Sequence, residues 1–109
     1  MTEDNTKEQQ AVMQLIAFGG DSRSNSIEAI RAAKDGDFKK AQQKLKAANE
    51  SLTKAHNNQT NFLTQEAQGK SHVTLFMVHA QDQVMNAMTI RDLAQEFIDV
   101  YKKMDQKSK

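Results

Sequence analysis

The chain has 109 residues, with 15 lysines and arginines against 14 aspartates and glutamates, no cysteine and no proline. That length suits one domain, residues 1–109, with a modest core, and a net charge of +1 excludes an electrostatic case for a nucleic-acid partner. Without cysteine there are no disulfides, thiolate metal sites or thiol nucleophiles, which agrees with a cytoplasmic location; no apolar run approaches the roughly 18 residues of a membrane span.

The absence of proline and the abundance of Ala, Gln, Lys and Leu favour long helices, so the expected fold class is all-α. Asp4 or Thr6 is suited to cap a first helix carrying Val12, Leu15, Ile16, Ile27 and Ile30 along one side, with Gly19, Ser22, Arg23 and Ser26 on that side too. Gly19-Gly20-Asp21 allows either a break or a close approach by a neighbouring backbone. The apolar phase of Val12 and Ile16 returns at Ile27 and Ile30, which favours near-continuity. Arg23 fits either a side chain paired or snorkelling at the rim, or an arginine that orients a phosphate.

Lys34-Asp35-Gly36-Asp37-Phe38 is the clearest turn, with Gly36 suited to the left-handed residue after a helix and Asp37 to capping the next. From Phe38 the seam runs through Ala41, Leu45, Ala48, Leu52, Ala55, Gln59 and Phe62 with Leu63, and the lysines at 39, 40, 44, 46 and 54 lie largely off it. His56, close to this seam, reads as a hydrogen-bonded core or rim histidine or, alternatively, as a ligand. Gly69 closes the second helix, Ser71 is placed to cap the third, and His72 reads as a loop residue. The third helix is expected from about Val73 to about Lys103, with residues 1–6 and 104–109 as flexible ends.

The third helix has two characters. Over its first half, apolar residues from Leu75 to Met88 point all round the axis; over its second, Leu93, Phe97, Val100 and Met104 form one stripe while Asp92, Gln95, Asp99 and Lys102 face away. A helix without a wet side needs a second surface against it, and the simplest inference is self-association near a symmetry axis. His79 and Asp82 lie within about 60° of each other, on the flank of Leu75, Asn86 and Leu93. They suit either an interface or a His–Asp hydrogen bond in the interior.

Several chemistries can be set aside. No serine sits in a nucleophile elbow, Gly19-Gly20 lacks the lysine and strand of a phosphate loop, and the paired Glu-x-x-His motifs of a di-metal bundle are absent. One metal held by symmetry-related copies of Asp82 stays open, because like carboxylates brought together repel unless protonated or bridged by a cation. A lone histidine among amides suits transient phosphorylation, since neutral imidazole is nucleophilic near pH 7 and Gln81 or Gln83 offers donors for phosphoryl oxygens.

The stretch Leu75-Phe-Met-Val-His-Ala-Gln-Asp-Gln-Val-Met-Asn-Ala-Met88, followed by Arg91-Asp-Leu-Ala-Gln-Glu96, resembles the signature helix of the lactose/cellobiose-type enzyme IIA of the bacterial phosphoenolpyruvate:sugar phosphotransferase system. Ile16 to Ser24, Ala29 to Phe38 and Ala47 to Leu52 resemble that family's first helix and hairpin, so the resemblance spans about Gln10 to Lys103. It implies an antiparallel three-helix bundle, spectrin-like and up-down-up, that trimerises through the third helix into a coiled-coil-like nine-helix assembly. It further implies that His79 accepts a phosphoryl group from phospho-HPr and passes it to a cysteine of the cognate IIB component, the sugar entering through membrane-embedded IIC. Asp82 matches the family aspartate that gathers at the trimer axis, implying one structural divalent ion per trimer, with Mg2+ expected.

Gln83 departs from the family pattern, standing where a second histidine is frequent. An amide can donate to a phosphoryl oxygen but does not titrate near pH 7, so transfer is expected to survive with a different pH response. Two other classes compete: a non-catalytic trimeric helical adaptor or regulator from the same family, and a metal-storing bundle. The sugar stays open among lactose, cellobiose and chitobiose-type disaccharides.

Overall fold

Two glycines reverse the chain. The computed structural model describes residues 3–70 and 73–108, with side chains from residue 7 onward. Helix α1 runs Glu3–Lys34, α2 Phe38–Ala67 and α3 Leu75–Ser108, and together they make an antiparallel up-down-up rod measuring 62 × 20 × 19 Å. This is the all-α three-helix bundle expected from composition and resemblance.

Gly36 adopts φ +85°, the left-handed conformation that a Cβ disfavours. Its amide donates to the Ala33 carbonyl at 3.0 Å and that of Asp37 to the Ala32 carbonyl at 2.9 Å, closing α1 with the two reciprocal bonds of a Schellman motif. The Asp37 carboxylate then accepts from the Lys40 amide at 3.1 Å and caps α2. Gly69, at φ +72°, ends α2 in the same way, with Gly69 to Glu66 and Lys70 to Gln65 both at 2.9 Å.

The expected caps at the other two starts are corrected. Helix α1 already includes Asp4 and Thr6, so neither precedes it. Thr74 caps α3, its hydroxyl accepting from the Met77 amide at 3.1 Å; Ser71 and His72 lie outside the described residues. Helix α3 also continues to Ser108, a turn beyond the expected end.

Helix α1 is continuous through Gly19-Gly20, as the recovered apolar phase requires. Gly19 is buried against α3: a Cβ built there would lie 3.4 Å from the Gln83 carbonyl carbon and 3.4 Å from the Val84 amide nitrogen. The close approach and the unbroken helix therefore coexist.

The interior divides into two apolar clusters. One gathers Val12, Leu15, Ala55, Phe62, Ala80 and Val84; the other, towards the α1–α2 turn, gathers Ala29, Ala33, Ala41, Leu45, Ala94 and Ile98. Between them the α1 side is made of small residues, with Ser22 and Ser26 fully buried and their hydroxyls without a hydrogen-bond partner among the described residues. Ser51, also buried, donates to the Asp21 carboxylate and ties α2 to α1. The expected α2 seam is largely the buried face, with Ser51 added and Leu52 half-buried.

Candidate functional site

The inward face of α3 mixes alanines with Met77, Val84 and Ile98, while several of its large apolar residues face outward. Met77, Ala80, Val84, Ala87, Ala94 and Ile98 are buried, whereas Leu93, Phe97, Val100 and Met104 stay 45–56% exposed. The stripe expected on the second half of α3 thus exists but faces away from α1 and α2. Alanines take part of this interior where α1 offers the small residues Gly19, Ser22, Ser26 and Ala29 and the helices pack closely, while Ile98, as large as leucine, is fully buried in the cluster towards the α1–α2 turn. The first half of α3 carries the same outward surface: Leu75 is 86%, Val78 43% and Met85 52% exposed.

His79 and Asp82 are both exposed on this outward side, and neither has a hydrogen-bond or ion-pair partner among the described residues. The alternative of a His–Asp bond stabilising the interior is therefore excluded in the protomer. At 100° per residue His79 stands on the edge of the apolar surface and Asp82 near its middle. A carboxylate surrounded by Leu75, Val78 and Met85 is well solvated only while that surface is uncovered.

The two candidate amides separate. Gln83, half-buried, lies about 40° from His79 around α3, one turn onward, and the structure brings these two to the same flank. Gln81 points the other way, roughly 160° from His79, into the α2–α3 contact. There its side-chain carbonyl accepts from the Gln59 amide at 2.5 Å, and its own amide lies 3.9 Å from the Met77 sulfur. Within one chain Gln81 is thus a packing residue tied to α2. Gln59 belongs with it; an amide in the otherwise apolar α2 seam was the signal for a partner of its own kind.

Arg23 is exposed on α1, so the rim placement holds. His56 is also exposed, not a core histidine; it edges a groove of about 350 Å³ between α2 and α3 lined by Asn49, Leu52, Met88, Arg91 and Asp92. In that groove the Arg91 guanidinium donates to the Asn49 side chain and pairs with Asp92 at 2.9 Å. No cluster of three or more His, Cys, Asp or Glu able to hold a metal ion occurs among the described residues. No helix, over the same residues, is long and apolar enough to cross a membrane.

Comparison with known proteins bears directly on this surface. The family described as "PTS system, Lactose/Cellobiose specific IIA subunit" matches residues 10–102. The lichenan-specific phosphotransferase enzyme IIA component of Bacillus subtilis is 50% identical over 101 residues, 92% of each chain. Among solved structures, the cellobiose-specific enzyme IIA from Bacillus anthracis superposes with a TM-score of 0.90 at 39% identity, covering 98% of this chain and 95% of that one. The IIA(chitobiose) chain of the Escherichia coli IIA–HPr complex gives 0.79 at 36% identity, covering 89% and 95%. The chain, with its three-helix rod and the histidine-bearing α3, belongs to the lactose/cellobiose-specific IIA subunits of the sugar phosphotransferase system, a family of enzyme components that transfer phosphoryl groups.

Proposed function

We propose that His79 is the phosphoryl carrier, loaded by phospho-HPr and unloaded onto a cysteine of a cognate IIB component in the cytoplasm during uptake of a disaccharide through IIC. The observation carrying this is the exposure of His79 on the outward flank of α3, where a partner protein can reach its ring. A similar fold in complex with HPr supports the choice of donor. The other two histidines have weaker claims: His56 stands on α2, outside the signature helix, although the groove it edges is lined by Met88, Arg91 and Asp92 of that helix, and His72 lies outside the described residues.

In the loading step a lone pair of a neutral ring nitrogen attacks phosphorus, the bond from phosphorus to HPr breaks, and its electron pair returns to HPr. In the unloading step the IIB thiolate attacks the same phosphorus, the phosphorus–nitrogen bond breaks, and its pair restores the neutral imidazole. Gln83, on the same flank as His79, is placed to donate to a phosphoryl oxygen. Gln81, bonded to Gln59, is not so placed within one chain.

The same reading includes association of three copies through the outward face of α3. The support is a long apolar surface, with Leu75, Val78, Met85, Leu93, Phe97, Val100 and Met104 all exposed and one carboxylate in its middle. Three Asp82 carboxylates brought to an axis would form an all-oxygen donor set suited to a hard cation such as Mg2+. That ion would neutralise their repulsion, and it has no part in the transfer of the phosphoryl group.

The test is incubation with phosphoenolpyruvate, enzyme I and HPr, followed by protein mass before and after acid. One acid-labile phosphoryl group per chain, absent from a folded His79→Ala variant, is the expected result. Failure of the wild type to take up phosphate would return the chain to the adaptor class.

A further inference from the structure

The outward positions of α3 follow one repeat from end to end. Leu75, Val78 and Asp82 are followed eleven residues later by Asn86, Thr89 and Leu93, and eleven later again by Phe97, Val100 and Met104, and all nine are exposed. Steps of three, four and four give about 3.67 residues per turn, so the seam runs almost straight along the helix with a slight right-handed drift. Within it the polar residues Asp82, Asn86 and Thr89 are consecutive and lie in the N-terminal half, with apolar positions on both sides.

From this placement, and resting on the self-association proposed above, we infer that Asn86 determines the direction and register in which copies of this chain pair. If two α3 helices ran antiparallel with Leu75 opposite Met104, Asn86 would face Leu93 and Asp82 would face Phe97. A parallel pairing slipped by one repeat would set Asn86 against Phe97 and Asp82 against Leu93. Both arrangements bury polar groups against apolar ones without partners. The parallel, in-register arrangement matches polar with polar and apolar with apolar at all nine positions. An antiparallel one centred on Asn86 matches the polar residues but leaves Val100 and Met104 of each chain without a seam partner, and it cannot be repeated around a threefold axis.

The three polar residues are not equal in this. The Thr89 hydroxyl already donates to the Met85 carbonyl of its own helix at 3.3 Å and needs no neighbour. Asp82 carboxylates in register repel one another, so by themselves they disfavour the matched arrangement. Asn86 has no hydrogen-bond partner among the described residues, and its amide carries both a donor and an acceptor. Three copies around an axis can close a ring in which each Nδ2 donates to the Oδ1 of the next. A single buried amide of this kind is a known way to specify register and assembly size between helices. One turn from Asp82, the ring can also donate to the carboxylates. Its consequence for the site is that every His79 is brought to the same end and the same level.

The chain contains no cysteine, so single cysteines can report on pairing. Leu75→Cys and Met104→Cys chains are mixed, unfolded and refolded together, then oxidised, with and without Asn86→Val; sedimentation gives the assembly size of the same proteins without the introduced cysteines. With Asn86 the expected products are same-site disulfides only and a single assembly size. With Asn86→Val, which leaves the protomer interior untouched, a mixed disulfide between the L75C chain and the M104C chain should rise from background to a share comparable with the same-site products, and mixed sizes should appear. If Asn86→Val keeps the same-site pattern and a single size, the role of Asn86 is overturned while self-association stands. A wild type that sediments as a single chain at every concentration overturns both.

Discussion

The backbone of Gln83 faces Gly19 closely enough that a Cβ there would touch it, 3.4 Å from the Gln83 carbonyl carbon and 3.5 Å from its oxygen. The α3 turn that follows His79 thus packs on α1 with space at Gly19 for a methyl group in ordinary van der Waals contact. A Cβ on neighbouring Gly20 would meet nothing within 4 Å beyond its own helix among the described residues. Gly19→Leu should therefore force the helices apart and cost about 1–3 kcal/mol. Gly20→Ala should stabilise by about 0.5–1 kcal/mol through helix propensity. Urea unfolding of the two variants should show shifts of opposite sign.

Asp82→Leu should leave a folded and still associated protein. The carboxylate is exposed in the protomer, so its removal should change protomer stability by no more than about 0.5 kcal/mol. At an apolar axis the substitution removes like-charge repulsion together with the need for a cation. Sedimentation showing single chains would refute this.

Gln83→His should change how phosphoryl transfer responds to pH without abolishing it. The amide at this position cannot titrate, whereas an introduced imidazole on the flank of His79 would ionise at about pH 6.5. Rates measured from acid to neutral pH should give different profiles for the two proteins, and coincident profiles would show that position 83 does not influence the transfer.

Glu28 and Lys44 join α1 to α2 through an ion pair of 2.8 Å. The hydrogen bond from the Lys44 ammonium and then its charge hold the Glu28 carboxyl below its ordinary value of 4.5. A depressed carboxyl stabilises the fold above its unfolded-state pKa, and this contribution is lost as pH falls through the lower folded value. Carbon-detected NMR titration should find the Glu28 midpoint below 4.5, and Lys44→Ala should raise it. Because both groups reach solvent, salt should weaken the effect.

The reversals were legible from the sequence because they depend on local chemistry: Gly36 at positive φ and Asp37 on the Lys40 amide need no tertiary partner to be recognised. The continuity of α1 could be read from its apolar phase. Ser71 is the cap expected for α3, and Thr74 takes the role because its hydroxyl is the one that accepts from the Met77 amide. The inward face of α3 was harder still, since a helix apolar all round offers more than one core face. Packing against the glycine and serines of α1 favours the face that carries Ala80, Ala87 and Ala94, and that depends on a second helix. The placement of His79 and Gln83 on one flank follows from helical spacing. The attachment of Gln81 to Gln59 does not, because it joins residues from two helices.

With Leu75, Val78, Met85, Leu93, Phe97, Val100 and Met104 outside, α3 keeps much of its apolar area available for other copies of the chain. In the proposed assembly, folding and association are therefore linked by mass action, and the unfolding midpoint rises with protein concentration. Dilution would act on such a protein as a mild denaturant, loosening first the helix that bears the phosphoryl group.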